Sequence, residues 1–221
     1  MVIAVIPAYN EAARIGPVVE DALRHVECVI VIDDGSTDET GKVATKAGAT
    51  VITHMENGGA GAATMTGIEA ARRMGATVVI TLDADGQHDA GDIPRLLEPI
   101  EQNKADIVFA NRFGQKNHIP FIRRIFNAIG NLLTFTVTGK WVQDSQSGFK
   151  AFGPKALAQV ELRMRGFEFC TEIVREAVQH QWRIAEIPTK VIYSEYTMAK
   201  GQSFAMGVKT ALKILLRSFL R

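Results

Sequence analysis

Two aspartates one residue apart, Asp83 and Asp85, close the apolar run VVITL at 78–82 and lead into Gly86, Gln87 and His88. At a strand end their carboxylates can converge on one hard divalent cation while Ala84 between them turns away. Mg²⁺ or Mn²⁺ held by one or two carboxylates completes its shell with water and phosphate oxygens. Such an ion neutralises a diphosphate and helps it depart. His88 lies within reach as a third ligand or a substrate contact, and a solvated Asp-Gly turn is the bland alternative for the whole stretch.

A second acidic pair, Asp33 and Asp34, follows the largely apolar run at 26–32 and precedes Gly35, Ser36 and Thr37. A carboxylate there can accept from a base N–H or from ribose hydroxyls. Spacing does not choose between the two aspartates, and one of them can instead cap the following helix. Their mutual repulsion predicts that the pair is not wholly buried. Tyr9 and Glu11, just past the first strand, are placed to complete a base pocket. Glycines 58, 59 and 61 do not follow the first strand, which turns through Pro7, Ala8 and Tyr9, so a dinucleotide-binding oxidoreductase is disfavoured. No GxxxxGK[ST] loop occurs, which argues against a P-loop ATPase or kinase. The three glycines suit close approach to a ligand or a tight helix start.

The elements that must position these residues alternate. Apolar runs at 2–7, 26–32, 49–53, 78–82 and 107–110 read as strands, and amphipathic stretches at 11–24, 38–48, 62–74 and 91–103 read as helices. Continuously apolar strands alternating with helices predict an α/β fold, with a mostly parallel Rossmann-like sheet flanked by helices on both faces. Ligands of such sheets bind beyond the carboxyl ends of the strands, where all the acids above gather. From residue 119 the pattern changes. An apolar stretch at 119–137 is interrupted by Arg123, Arg124, Asn127 and Asn131; a Gly- and Ser-containing loop with short strand character covers 141–152; a helix at 168–180, a strand at 183–193 and a helical tail at 203–221 follow. The expected organisation is one continuous globular unit with a nucleotide- and metal-binding half, 1–118, and an acceptor-binding half, 119–221.

Composition narrows the classes. The 221 residues, 47% hydrophobic and 22% charged, exclude a disordered chain and leave little room for two independent cores. Two cysteines, Cys28 and Cys170, exclude a disulfide-dense scaffold and a four-cysteine zinc site. Residues 1–118 carry 10 Lys/Arg against 17 Asp/Glu, a net −7, whereas residues 119–221 carry 15 against 7, a net +8. That split suits a first half that handles a cation and a second that faces something anionic. Neither a signal-peptide pattern nor 18 consecutive uncharged apolar residues occurs, so the expectation is a cytoplasmic protein, peripheral on the membrane face, with no transmembrane span. In the tail, Lys209, Lys213, Arg217 and Arg221 recur every four residues beside Phe204, Val208, Leu212, Leu215, Leu216 and Phe219, a pattern for a helix in an anionic lipid interface or one docked on the body. The 119–137 stretch supports lipid contact, with Arg123 and Arg124 near a lipid phosphate; a core or dimer helix is the alternative. Basic residues interleaved with apolar ones, opposite an acidic half, disfavour nucleic acid. His25, His54, His118 and His180 read as surface or helix residues, and Trp141 and Trp182 as packing anchors.

The stretches VIPAYNEA (5–12), VIVIDDGSTDET (29–40), ENGGAGAATMTGIEAAR (56–72), VVITLDADGQHDAGDIPRLLEPI (78–100) and ADIVFANRF (105–113) together resemble family 2 glycosyltransferases of the GT-A, nucleotide-diphospho-sugar transferase fold. RRIFNAIGNLLTFTVTG (123–139), DSQSGFKAF (144–152), GFEFCTEIVREA (166–177) and KGQS (200–203) resemble, within that family, the dolichol- and undecaprenyl-phosphate sugar transferases. The resemblance implies a base pocket lined by Pro7, Tyr9 and Glu11, with Asp33 or Asp34 on base or ribose. It implies a metal motif of Asp83 and Asp85 with Gln87 as an additional ligand, Ala84 belonging to the same donor-binding stretch. It further implies Arg112 and Arg124 near donor or acceptor phosphate, Asp144 close to the reacting sugar, and Lys200, Gly201 and Ser203 in a segment closing over the diphosphate. Phe204 departs from the basic residue many relatives carry there, and relatives with carboxyl-terminal transmembrane helices would continue past residue 221. The activity implied is inverting transfer of a hexose from a GDP-mannose- or UDP-glucose-like donor to a polyprenyl phosphate, with Asp144 as a base or an orienting group and a homo-oligomer compatible with it. Alternatives are the same fold acting on a soluble saccharide or protein hydroxyl, or a non-catalytic nucleotide- or lipid-surface-binding protein.

Overall fold

The computed structural model describes residues 1–117 and 119–192. The tail helix expected at 203–221, Lys200, Ser203 and His118 lie outside the described residues. Seven strands form one sheet in the order β3-β2-β1-β4-β6-β5-β7, namely β1 (Val2–Ala8), β2 (Cys28–Asp33), β3 (Thr50–Thr53), β4 (Val78–Thr81), β5 (Ile107–Asn111), β6 (Lys150–Phe152) and β7 (Ile184–Pro188). β4 and β5 are buried along their whole length, β1 and β2 over most of it, as strands covered on both faces must be. One face is covered by α1 (Ile15–Ala22), α2 (Thr40–Lys46) and α4 (Ile93–Glu101), through Ile15, Val19, Ala44, Ile93, Leu96 and Ile100. The other is covered by α3 (Ala60–Arg73), α6 (Pro154–Gln159) and α7 (Phe169–Gln179), through Ala63, Ile68, Leu157, Ile173 and Val174.

All neighbouring strands run parallel except β6, which is antiparallel to both β4 and β5. The sequence suggested only short strand character at 141–152; the structure reduces it to three residues wedged into the centre of the sheet. Because β6 is reversed, the loop that enters it arrives at the edge where β4 and β5 end, beside Asp83 and Asn111. The strand order also changes direction at β1, with β2 on one side and β4 on the other, and such a switch point is where open sheets bind ligands. α6, begun by Pro154 after Gly153, was not anticipated, and the strand expected at 183–193 stops at Pro188.

The apolar stretch after 119 forms one helix, α5 (Phe121–Thr138), packed on α7 through a 2.9 Å hydrogen bond between Thr134 and Thr171. Its polarity is inverted. Asn131 and Thr134 are its buried residues, whereas Phe121, Ile122, Ile125, Ile129, Leu132 and Phe135 face solvent.

The start of α3 fits against the 164–165 backbone: Gly61 N–H donates to the Arg165 carbonyl at 2.8 Å, and a Cβ at Gly61 would collide with the Met164 carbonyl oxygen. The glycines thus admit the chain itself rather than a ligand. Gly61→Ala is expected to destabilise the protein by about 1–3 kcal/mol, read as a lower urea midpoint; an unchanged midpoint would show that the 164–165 segment yields without cost.

Candidate active site

The loops after β1 and β2 are stitched together by side chains that turns favour. Asn10, in the left-handed region at φ 54°, donates from its N–H to Ser36 Oγ (2.9 Å) and accepts from Thr37 N–H at Oδ1 (2.8 Å). Ala12 N–H donates to Asp38 and Glu11 N–H to Thr40 Oγ1 (2.8 Å). Tyr9 stands 43% exposed at this mouth, with Glu11 buried and Pro7 partly buried in β1 beneath it.

Asp33 and Asp34 are both buried, contrary to the expectation from repulsion. The reason is local solvation by the chain. Asp34 Oδ1 accepts from Gly58 N–H (2.9 Å) and bonds His54 Nδ1 (2.6 Å), while Oδ2 accepts from Gly59 N–H (2.8 Å). Asp34 therefore holds the glycine turn that leads into α3. Asp33 Oδ1 accepts from Ser36 N–H at 3.1 Å. His54 is partly buried: its Nε2 bonds Thr66 Oγ1 at 3.0 Å, tying β3's end to α3.

Asp83 and Asp85 follow β4, with Ala84 buried between them. His88 Nε2 bonds Asp83 Oδ2 at 2.9 Å, its ring nearly enclosed and tilted against Phe149. Gly148 backs the other side of Asp83: its carbonyl accepts from Thr81 Oγ1 at 2.7 Å, and a Cβ there would run into the Asp83 carboxylate. Packing alone would raise the Asp83 carboxyl, but the His88 hydrogen bond and the charges of His88, Lys150 and Arg112 hold it below the usual range. Its side chain keeps 47% of its surface open. Asp85 goes the other way: burial first, then the Asp83 charge, push it up. Its two oxygens accept from Gln87 N–H (2.9 Å) and Gln87 Nε2 (2.6 Å). Gln87 Oε1, the atom a metal would use, accepts from Arg123 Nη1 at 3.3 Å, so Gln87 links the acidic motif to the start of α5.

Arg112, just past β5, is clamped by Asp144. Nε and Nη2 donate to Oδ2 and Oδ1 at 2.8 Å each, and Arg112 N–H donates to Oδ2 at 2.9 Å. Asp144 is fully buried. A carboxylate so engaged fixes a guanidinium at the sheet edge. The 143–145 loop hangs from the polar inner face of α5, where Asn131 donates to the Gln143 carbonyl and accepts from Ser145 N–H (3.1 Å) and Oγ (2.8 Å).

The structure thus gathers Asp83, Ala84, Asp85, Gln87, Arg112 and Asp144 along neighbouring strand ends, with Pro7, Tyr9 and Glu11 across β1. Arg124 is exposed on α5, and Arg123, one position earlier on the helix, is the arginine that turns to the acidic motif. Trp141 is no packing anchor: it is 53% exposed, edge-on to Phe135. Trp182 is buried and donates to Gln159. Lys150 and Asn131 went unremarked as site residues. A lone Lys inside the apolar run GFKAF was the available signal for the first; a helical reading of 121–138 would have set Asn131 and Thr134 on one face for the second.

Sheet, switch point and strand-end acids define a GT-A enzyme that moves a sugar from a nucleoside-diphosphate sugar donor. A family model described as glycosyl transferase family 2 matches residues 3–160, and the chain belongs to that family. It is 33% identical to a UDP-N-acetylglucosamine–dolichyl-phosphate N-acetylglucosaminyltransferase of Methanococcus voltae, over 98% of this chain and 95% of the relative. It is 25% identical to a polyprenol monophosphomannose synthase of Mycolicibacterium smegmatis, over 95% of this chain and 83% of the relative. Among solved structures, glucosyl-3-phosphoglycerate synthase of Mycobacterium tuberculosis, in complex with Mn²⁺, uridine diphosphate and glucosyl-3-phosphoglycerate, matches with a TM-score of 0.74 at 18% identity, over 99% of this chain and 79% of that one.

Asp144→Ala removes the Arg112 counter-charge from a buried site and is expected to lower unfolding free energy by about 3 kcal/mol. Urea titration checks it; a midpoint equal to wild type would contradict the clamp.

Proposed function

We propose that this enzyme transfers its sugar to a polyprenyl phosphate at a membrane surface, with Mg²⁺ or Mn²⁺ held by Asp83 and Asp85. The observation that carries the acceptor is α5. Its solvent face bears six large apolar side chains, with Trp141 beside them, and its first turn reaches the acidic motif through Arg123 and Gln87. Full burial of each such side chain is worth about 1.5–3 kcal/mol, and a continuous patch of this kind marks an interaction surface. An isoprenoid lying along α5 would bring its phosphate to the end where the acids sit. Of the relatives named above, one carries dolichyl phosphate in its name and the other polyprenol monophosphomannose.

The donor set suits a hard divalent ion. Two carboxylates one residue apart raise one another's cost of ionisation, and a doubly charged ion relieves it. Among the described residues no group of three or more His, Cys, Asp or Glu is arranged to hold a metal, so water and donor phosphate oxygens would complete the shell. When bound, the ion supplies charge neutralisation for the departing diphosphate. The remaining work falls to the chain. Tyr9, Pro7 and Glu11 line the base pocket. Arg112, aimed by Asp144, offers a fixed positive charge to phosphate, and Arg123 stands where the lipid phosphate would arrive. A phosphate monoester is an anionic nucleophile near neutral pH, with its second ionisation around pKa 6. Its oxygen attacks the anomeric carbon as the bond to the diphosphate oxygen breaks, with inversion and no proton to remove. A buried, committed Asp144 is consistent with chemistry that needs positioning more than a base.

A second reading keeps the donor chemistry and moves the sugar to a soluble acceptor: a saccharide, a protein hydroxyl or a phosphorylated hydroxy acid of the kind named for the solved neighbours. Incubation with a panel of nucleotide sugars, polyprenyl phosphate and soluble acceptors separates the two. Mass analysis of the extracted lipid is expected to find a glycosyl phospholipid; transfer confined to water-soluble acceptors would overturn the lipid reading. Asp83→Ala and Asp85→Ala are each expected to lower kcat by at least about a hundredfold without loss of fold by circular dichroism, and unchanged metal-dependent kinetics would remove their assignment. Ile122→Glu with Leu132→Glu is expected to abolish flotation with anionic liposomes, and undiminished flotation would place membrane contact elsewhere.

A further inference from the structure

Lys150 is the only buried lysine or arginine among the described residues, and the chemistry above does not use it. It opens β6 at the centre of the sheet, opposite Thr81 of β4 on one side and Phe109 of β5 on the other. Its ammonium donates to the Ser147 carbonyl oxygen and lies 3.8 Å from Cys170 Sγ, with the ring centres of Phe109 and Phe169 at 5.4 and 5.9 Å. These neighbours are neutral, since burial pushes the Cys170 thiol up and leaves it no charge to offer. An ammonium enclosed among neutral groups is costly, and packing alone would favour Met at this position.

What repays that cost is the negative field next door. The Ser147–Gly148 turn that receives the ammonium is the same turn that backs the Asp83 carboxylate, with no room for even a methyl group between them. Thr81, level with Lys150, lies two residues before Asp83. We propose that Lys150 is a positioning residue for the divalent ion, a fixed internal charge behind Asp83 that limits how tightly the Asp83–Asp85 pair grips the cation before nucleotide binds. With Lys150 present, part of the negative charge that the two carboxylates offer the ion is already offset. The donor diphosphate supplies the rest, so ion and nucleotide bind together and the ion is not trapped once the diphosphate leaves. This inference rests on the metal-binding reading of Asp83 and Asp85.

The test is titration of the nucleotide-free protein with Mn²⁺, followed by electron paramagnetic resonance, for wild type, Lys150→Met, Lys150→Gln, Lys150→Arg and Asp83→Asn. Both neutral variants are expected to bind Mn²⁺ about tenfold or more tightly, and Lys150→Arg to stay near wild type. Packing damage would weaken the site, so a gain in affinity separates charge from structure. Gln keeps a donor for the Ser147 carbonyl, and if Lys150→Met fails to fold, the comparison of Gln with Arg decides on the same terms. Neutral variants that fold but bind Mn²⁺ no tighter than wild type overturn the inference, as does tightening by Met alone. If wild type shows no Mn²⁺ site that Asp83→Asn removes, the metal-binding reading falls and takes the Lys150 inference with it.

Discussion

β6 runs against both of its neighbours, and the site follows from that reversal. A parallel strand in the same slot would deliver its incoming loop to the opposite edge of the sheet. Reversed, it brings Asp144, Gly148 and Lys150 to the edge where β4 and β5 end. Gly148 then closes against Asp83, Lys150 lies behind it, and Asp144 takes hold of Arg112. Opposite charges stand beside Asp83 and Asp144 along this edge.

α5 serves two neighbours with its two faces. Its inner face is polar because it must satisfy a buried loop: Asn131 holds both sides of the 143–145 backbone, and Thr134 bonds α7. Its outer face is apolar although water touches it. A helix that only covered a core would have the opposite polarity. The helix that positions the Asp144 loop is therefore the one whose exposed surface calls for an apolar partner, and its first turn touches Gln87. One helix thus carries both the loop that holds Arg112 and the exposed apolar face.

The sheet was legible because its strands are continuously apolar and its helices periodic; every strand from β1 to β5 lies where the pattern put it. The acids at the strand ends were legible from type and position. What the sequence hid was direction and side. Three residues of β6 carry no signal that they run backward. The Arg123–Arg124 pair offers two equal charges, and only the helical phase of α5 decides which one turns inward. Asp34 and His54, twenty positions apart, gave no sign in the sequence that they pair. For Asp144 the sequence leaves open a base or an orienting group, because the guanidinium that engages it, Arg112, lies thirty-two positions away, just past β5.

Anomalous diffraction from crystals grown with Mn²⁺ and a nucleoside diphosphate tests most directly whether the acid pair after β4 holds the donor diphosphate. A manganese peak at Asp83, Asp85 and a phosphate oxygen, with the base beside Tyr9, is the expected result. Nucleotide bound at another edge of the sheet, or manganese bound with neither aspartate, would contradict it.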